Sequence, residues 1–219
     1  MSAEPTGFLY PFIEAEERDG AALVADLARS ARSKMTESRA LRTATLERCR
    51  DEVDAAATAM SACFLRGGRL LAFGNGGSAT DASGAVDLFR NPPHGRPLPA
   101  LSLVDDQAVL TAVSNDVGFE LVFSRQVIAH GRAGDIAVGF STSGDSVNLL
   151  RAFEEAAHRD LLTIGLSGYE GGSMAASDAI HHCLVVRSES VHRIQEAQDA
   201  LVLELWSSVQ AQLAGKGAS

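Results

Sequence analysis

Between residue 13 and about residue 65, apolar residues recur three and four apart, as at Leu23, Leu27, Val53, Ala57 and Met60. Ala, Leu, Glu and Arg dominate this stretch, so the spacing predicts helix. Gly67-Gly68 ends it, and the period then changes. Residues 69–73 form a short apolar run read as a buried strand. Further strands are predicted over 99–104, 135–140, 161–166 and 183–186, with helices over 107–114, 119–130, 147–158 and 192–213. Short strands separated by helices predict right-handed crossovers and a parallel sheet of five strands covered on both faces. The fold class is therefore α/β, a three-layer α/β/α arrangement with a helical N-terminal arm. The expected division is a helical arm over 1–66 that packs on the domain, a sheet domain over 67–214 and a disordered tail over 215–219. Residues 91–95 (NPPHG) read as a loop, and no internal repeat or low-complexity segment is present.

The closing helix carries Ile194, Leu201, Leu205 and Val209 on one face, with Val202 and Trp206 beside it. One apolar stripe is normal core. Two adjoining faces, together with an arm that has no sheet to cover, predict contacts between subunits and a homo-oligomer.

A chain of 219 residues fits one α/β domain with extra helix, and less easily two small domains. Its 46% hydrophobic content and mean hydropathy of +0.04 are enough for a sizeable core in a soluble protein. Cys49, Cys63 and Cys183 are odd in number and far apart, which points to reduced thiols and not to a disulfide framework. No basic-apolar-small leader pattern and no bilayer-length apolar run is present, so a cytoplasmic location without a membrane partner is expected. The net charge of −9 argues against a direct nucleic-acid partner. One basic stretch stands against that balance: Arg29, Arg32, Lys34, Arg39, Arg42, Arg48 and Arg50, with Glu37 and Glu47. It reads as a solvated helix face.

Ligands of open parallel sheets bind at the carboxyl ends of the strands. Two predicted strand ends carry unusual turns. Asn75-Gly76-Gly77-Ser78 follows the first strand, and its glycines let main-chain N–H groups approach an anion at a helix N-terminus. Glycine also serves plain turn geometry, so this signal is weak alone. Ser141-Thr142-Ser143-Gly144-Asp145-Ser146 follows the third strand. Four hydroxyls in six positions at a helix start suit a phosphate without any lysine; helix capping alone would need one such residue, Ser146 or Asp145. Neither turn continues as a nucleotide P-loop.

These two turns, in this order and separation, resemble the sugar isomerase (SIS) domain family. The similarity is greatest to its phosphoheptose isomerase branch, which also contains the replication-initiation regulator DiaA. The resemblance is carried by GNGGS at 74–78, LTAVSNDVGFELVFSRQV at 110–127, GRAGDIAVGFSTSGDSVNLLRA at 131–152, TIGLSGYEGG at 163–172 and RIQE at 193–196. It implies a phosphorylated sugar such as sedoheptulose 7-phosphate as ligand. It implies substrate contacts from Asn75, Gly76, Gly77, Ser78, Asn115 and Asp116. The phosphate would be gripped by Ser141, Thr142, Ser143 and Ser146. Gln195 would touch substrate and, in metal-bound members, zinc. It also implies a tetramer with sites shared between subunits. The family expects asparagine where Asp145 stands, and a carboxylate there disfavours a phosphate unless it points away.

The chemistry positions depart from the family. Active members carry a histidine and a glutamate where this chain has Gly84 and Leu88, and a second histidine where it has Leu203. Three of four metal ligands and both usual acid/base groups are absent, so neither a metal nor another cofactor is expected. Ketose–aldose interconversion needs a positioned base and acid. Asp87 and Glu204 lie one residue from the empty positions, but one helical residue turns a side chain by about 100°. His192, just before the RIQE stretch, is the histidine nearest the expected ligand. His181-His182 reads as a strand-end pair, His130 as a helix-ending residue suited to the dipole. The cysteines lack a basic neighbour placed for activation.

Three readings follow. The first is a sugar-phosphate-binding protein without the usual isomerase activity, regulating a protein partner as DiaA does. The second is an active sedoheptulose 7-phosphate isomerase with relocated acid/base groups. The third is an oligomeric scaffold with a vestigial pocket.

Overall fold

The computed structural model describes residues 20–216. Residues 13–19 of the predicted arm helix and 217–219 of the predicted tail lie outside the described residues. The chain divides into two compact units, one ending at Arg39 and one beginning at Ala40. Helix α1 (Gly20–Arg48) supplies the described part of the first unit. There Ser33 donates to Glu37 Oε1 (2.8 Å), one turn on, and Arg29 pairs with Asp26. Arg29, Arg32, Lys34 and Arg39 are all exposed, as the solvated-face reading expects, and so are Arg42, Arg48 and Arg50 in the second unit.

In the second unit α2 (Arg50–Leu65) leads into strand β1 (Leu70–Gly74), helix α3 (Gly77–Arg90) and strand β2 (Ala100–Ser102). Helix α4 (Gln107–Asp116), a 3-10 turn (Phe119–Leu121) and α5 (Val122–His130) precede β3 (Ile136–Phe140). Then come α6 (Val147–His158), β4 (Leu162–Gly168), the short α7 (Gly172–Ala175), β5 (His182–Val186) and α8 (Val191–Lys216). The five strands are all parallel, in the order β2-β1-β3-β4-β5. The order reverses between β1 and β3, which puts a topological switch point between the ends of these two strands.

Alternation along the strands builds two cores. Leu70 and Ala72 of β1 point to one face, with Ile136, Val138 and Phe140 of β3 and Ile164 and Leu166 of β4. Leu71 and Phe73 point to the other face, with Ala137. Successive strand residues face opposite ways, so both faces need helical cover. On the second face, α5 and α6 supply it through Val122, Phe123, Val127, Leu149 and Phe153. Phe73 meets the rings of Phe123 (5.5 Å) and Phe153 (5.2 Å). Buried Asp135 ties the strand starts together: its carboxylate accepts from the backbone N–H groups of Arg69 (2.9 Å) and Arg132 (3.1 Å).

The first face corrects two expectations. The predicted arm was to have no sheet to cover, yet α2 buries Val53, Ala56, Ala57, Met60, Cys63 and Phe64 in the core with β1, β3, β4 and β5. The second apolar face of the closing helix was assigned to subunit contacts, yet Val202 and Trp206 are buried within the chain, as are Ile194, Leu201, Leu205 and Val209. The reason is the same for both: α8 packs between α2 and α3, so it needs two apolar faces within its own subunit. Helix α8 also continues through Gly215 and Lys216, where a tail was expected. Other predicted elements shift by a residue or two, α7 was not foreseen, and the helix expected over 119–130 begins as a 3-10 turn. Among the described residues no helix is long and apolar enough to cross a membrane.

Candidate functional site

The site is built on the ends of β1 and β3, adjacent strands at the switch point. After β3, the residues from Ser141 to Ser146 turn into α6. Ser141 Oγ lies 3.4 Å from Ser143 Oγ and 3.4 Å from Ser146 Oγ. Gly144 N–H donates to Ser141 Oγ (3.0 Å) and Asp145 N–H to Ser143 Oγ (3.2 Å). Ser146 is the N-cap residue of α6, but its side chain makes no capping hydrogen bond. Capping therefore does not account for these hydroxyls. Thr142 stands outside the trio and is half-buried. Convergent hydroxyls at the positive end of a twelve-residue helix have the chemistry that suits an anion.

Across from it, the turn after β1 opens α3. Ser78 is buried and its N–H donates to Asn75 O (3.0 Å). The Asn75 carboxamide is paired reciprocally with that of buried Asn148 in α6, with both hydrogen bonds at 2.9 Å. This pair joins the two turns and occupies the Asn75 side chain. Gly74, Asn75 and Gly76 line a cavity of about 440 Å³, with Thr80 and Ser83 of α3, Gln107 and Leu110 of α4, and Phe119 and Phe123 among its other walls. Asn115 and Asp116 end α4, exposed, and are hydrogen-bonded to each other (2.8 Å). They do not line this cavity.

Helix α8 reaches both turns. Gln195 Nε2 donates to Asp81 Oδ2 (2.9 Å), one turn into α3. A Cβ at Gly77 would lie 2.5 Å from Gln195 Nε2, so the bare glycine makes room for this carboxamide. Buried Gln198, three residues on, donates to Ser141 O (3.1 Å). Burial pushes the Asp81 carboxyl above its ordinary range, opposed by the Gln195 hydrogen bond. Burial also raises Asp199, helped by the nearby charges of Asp81 and Glu196. Asp81, Asn148 and Gln198 were missed from sequence. The available signal was helical spacing: Asp81 stands four residues after Gly77, and Gln198 one turn after Gln195.

Asp145 is held by the start of α7. Its carboxylate accepts from Ser173 N–H (2.8 Å) and Ser173 Oγ (2.7 Å), at the start of α7. These contacts, the backbone one first, hold its carboxyl below the usual range.

None of the remaining candidates lines the cavity at the end of β1. Asp87 is exposed on α3. Glu204 is exposed and lines a separate groove of about 300 Å³ with Leu46, Arg50, Val53 and Asp54. His192 is exposed at the start of α8. His182 Nδ1 meets Glu52 Oε1 (2.7 Å) and His181 Nδ1 meets Thr163 Oγ1 (2.6 Å), both structural strand-end contacts. The Arg69 guanidinium donates to the His130 carbonyl. Two cysteines have an arginine beside them: Arg48 acts on Cys49, and Arg66 Nη2 donates to Cys63 Sγ (3.6 Å). Burial outweighs these arginines and pushes both thiols up, so proximity does not activate them.

The zinc that the family resemblance implies does not fit the residues present. A zinc site takes about four N, O or S ligands. Gly84 has no side chain, Leu88 packs against the core, Leu203 is an exposed hydrocarbon, and Gln195 is engaged with Asp81. Among the described residues no three His, Cys, Asp or Glu cluster for a metal.

Comparison with known proteins gives the family. The SIS domain family matches residues 35–168. A phosphoheptose isomerase of Roseiflexus sp. (strain RS-1) is 47% identical over 137 residues, covering 61% of this chain and 68% of that protein. One from Rhodospirillum rubrum is 42% identical over 155 residues, covering 70% and 81%. The solved phosphoheptose isomerase of Neisseria gonorrhoeae superposes with a TM-score of 0.78 at 36% identity, covering 84% of this chain and 99% of that one. With the switch-point turns, the five-stranded parallel order and these matches, the chain belongs to the SIS domain family, in its phosphoheptose isomerase branch.

Proposed function

We propose that this protein binds a phosphorylated sugar, with its phosphate on the Ser141–Ser146 turn, and lacks the usual isomerase chemistry. The observation that carries the reading is the trio of Ser141, Ser143 and Ser146 hydroxyls, with Ser141 Oγ 3.4 Å from each of the other two and Ser146 making no capping hydrogen bond. The sugar body extends from this turn over the end of β1, where Gly76 and the adjoining cavity offer backbone donors and hydroxyls. The relatives named phosphoheptose isomerase make sedoheptulose 7-phosphate the first ligand to try. Gly84, Leu88 and Leu203 can move no proton, so binding without turnover suits a regulatory role toward a protein partner. The protein is a cytoplasmic homo-oligomer, a tetramer, in this reading. Exposed Leu23, Val24, Leu27 and Met35 on α1 are in keeping with assembly.

A second reading, isomerisation by relocated groups, is favoured by one observation. Asp81 is a partly buried carboxyl with a raised affinity for its proton, held beside Gln195. A vestigial-pocket scaffold is the remaining alternative.

One experiment separates the three. The protein is purified from a host lacking its own phosphoheptose isomerase. Calorimetric titration and turnover are then measured with sedoheptulose 7-phosphate. Binding without turnover is expected, with Ser141→Ala/Ser143→Ala abolishing binding. Turnover lost in Asp81→Asn would install the second reading. No binding of any sugar phosphate would leave the scaffold.

A further inference from the structure

The serine turn has a second set of contacts, made by its backbone and by Asp145 and not by its hydroxyls. Met174 N–H donates to Gly144 O (2.9 Å), and Ser173 N–H donates to Asp145 Oδ1 (2.8 Å). Two consecutive N–H groups of one segment thus hold two consecutive residues of the turn. The Ser173 hydroxyl adds a third bond to the same carboxylate oxygen (2.7 Å). Asp145 is exposed, so hydrogen bonds and not packing fix its side chain. The consequence reaches the hydroxyls directly. Gly144 N–H holds Ser141 Oγ and Asp145 N–H holds Ser143 Oγ, so fixing residues 144 and 145 fixes two members of the trio.

We propose that Asp145 is a positioning residue whose clasp on Ser173 presents Ser141 and Ser143 to a phosphate, while its charge makes the site favour singly over doubly charged phosphate. This rests on the phosphate-site reading above. The two roles have opposite signs. The clasp orders the donors before the ligand arrives, which strengthens binding by sparing the loop's ordering entropy. The carboxylate repels an incoming anion, and a dianion twice as strongly. Asparagine keeps an acceptor for Ser173 without the charge, and alanine keeps neither. Asparagine against alanine therefore measures the clasp, and wild type against asparagine measures the charge.

The test titrates wild type, Asp145→Asn and Asp145→Ala with sedoheptulose 7-phosphate by calorimetry, above and below pH of about 6, where a phosphate monoester gains its second charge. Titrations run at about 0.01 M and about 0.15 M salt, which bracket weak and strong screening. Asp145→Asn should bind the dianion about threefold to tenfold more tightly than wild type at low salt, with the gain shrinking at high salt and below pH 6. Asp145→Ala should bind about tenfold more weakly than Asp145→Asn. Ser173→Ala, which keeps the backbone donor, should weaken binding about twofold to threefold and serves if Asp145→Ala does not fold. Equal binding by the alanine and asparagine variants, or an unaffected Ser173→Ala, would overturn the clasp. No gain from asparagine toward the dianion at low salt would overturn the charge effect. If wild type binds no phosphate at any pH, the phosphate-site reading falls, and the proposal with it.

Discussion

Gly144→Ala probes the most constrained point of the serine turn. Gly144 has φ +76, in the left-handed region where an alanine costs about 1–2 kcal/mol. A Cβ there would also lie 2.7 Å from the Gly171 carbonyl carbon and 3.1 Å from Gly172 N, and closer still to Gly171 O. These are backbone atoms, so no side chain can swing aside. Overpacking of this kind costs about 1–3 kcal/mol. The sum, about 2–5 kcal/mol, is a large share of a domain stability of about 5–15 kcal/mol, yet leaves a folded protein. The cheapest relief moves the turn away from residues 171–174 and breaks the Met174 N–H to Gly144 O bond. Binding of sugar phosphate should then weaken at least about tenfold, since about 1.4 kcal/mol of strain carried into the complex suffices. Urea denaturation measures the stability loss and calorimetry the affinity. Gly84→Ala is the matched control: Gly84 is exposed within α3, and a Cβ there meets nothing within 4 Å. It should raise stability by up to about 1 kcal/mol through helix propensity. Equal effects of the two substitutions would refute the steric account of the turn.

Asp81→Asn should stabilise the protein at neutral pH. The folded state raises the Asp81 carboxyl, so the stability its proton supports is lost as pH rises from the ordinary carboxylate range through the folded value. The asparagine variant escapes that loss and keeps an acceptor for Gln195, so its advantage in melting temperature should vanish in acid below the ordinary range. Leu205→Asp should unfold the chain, because Leu205 is 3% exposed in the core between α8 and its neighbours and an unpaired charge there is costly; retention of the far-ultraviolet circular dichroism and melting temperature would contradict this packing. Light scattering should report a dimer or tetramer at micromolar concentration, and a monomer throughout would count against the assembly proposed here.

Local pattern and strand composition were enough to determine the α/β class, the five parallel strands and the positions of most elements, because period-2 and period-3.6 hydrophobicity are properties of neighbouring residues. The two turns at the strand ends were legible for the same reason: Asn75–Ser78 and Ser141–Ser146 are contiguous, and glycine and hydroxyl clusters at strand ends are local features of the sequence. Tertiary structure alone decided what those local features meet. It set α2 of the arm against the sheet itself and gave the second face of α8 to its own subunit, since which apolar face is buried depends on partners distant in sequence. It paired Asn75 with Asn148, Asp81 with Gln195 and Asp145 with Ser173, contacts that span 73, 114 and 28 residues. A carboxylate at position 145 is only a nearby charge when read along the chain. The start of α7, beyond β4, brings the backbone N–H and the hydroxyl of Ser173 to it, and that approach, not residue type, decides how the carboxylate is held.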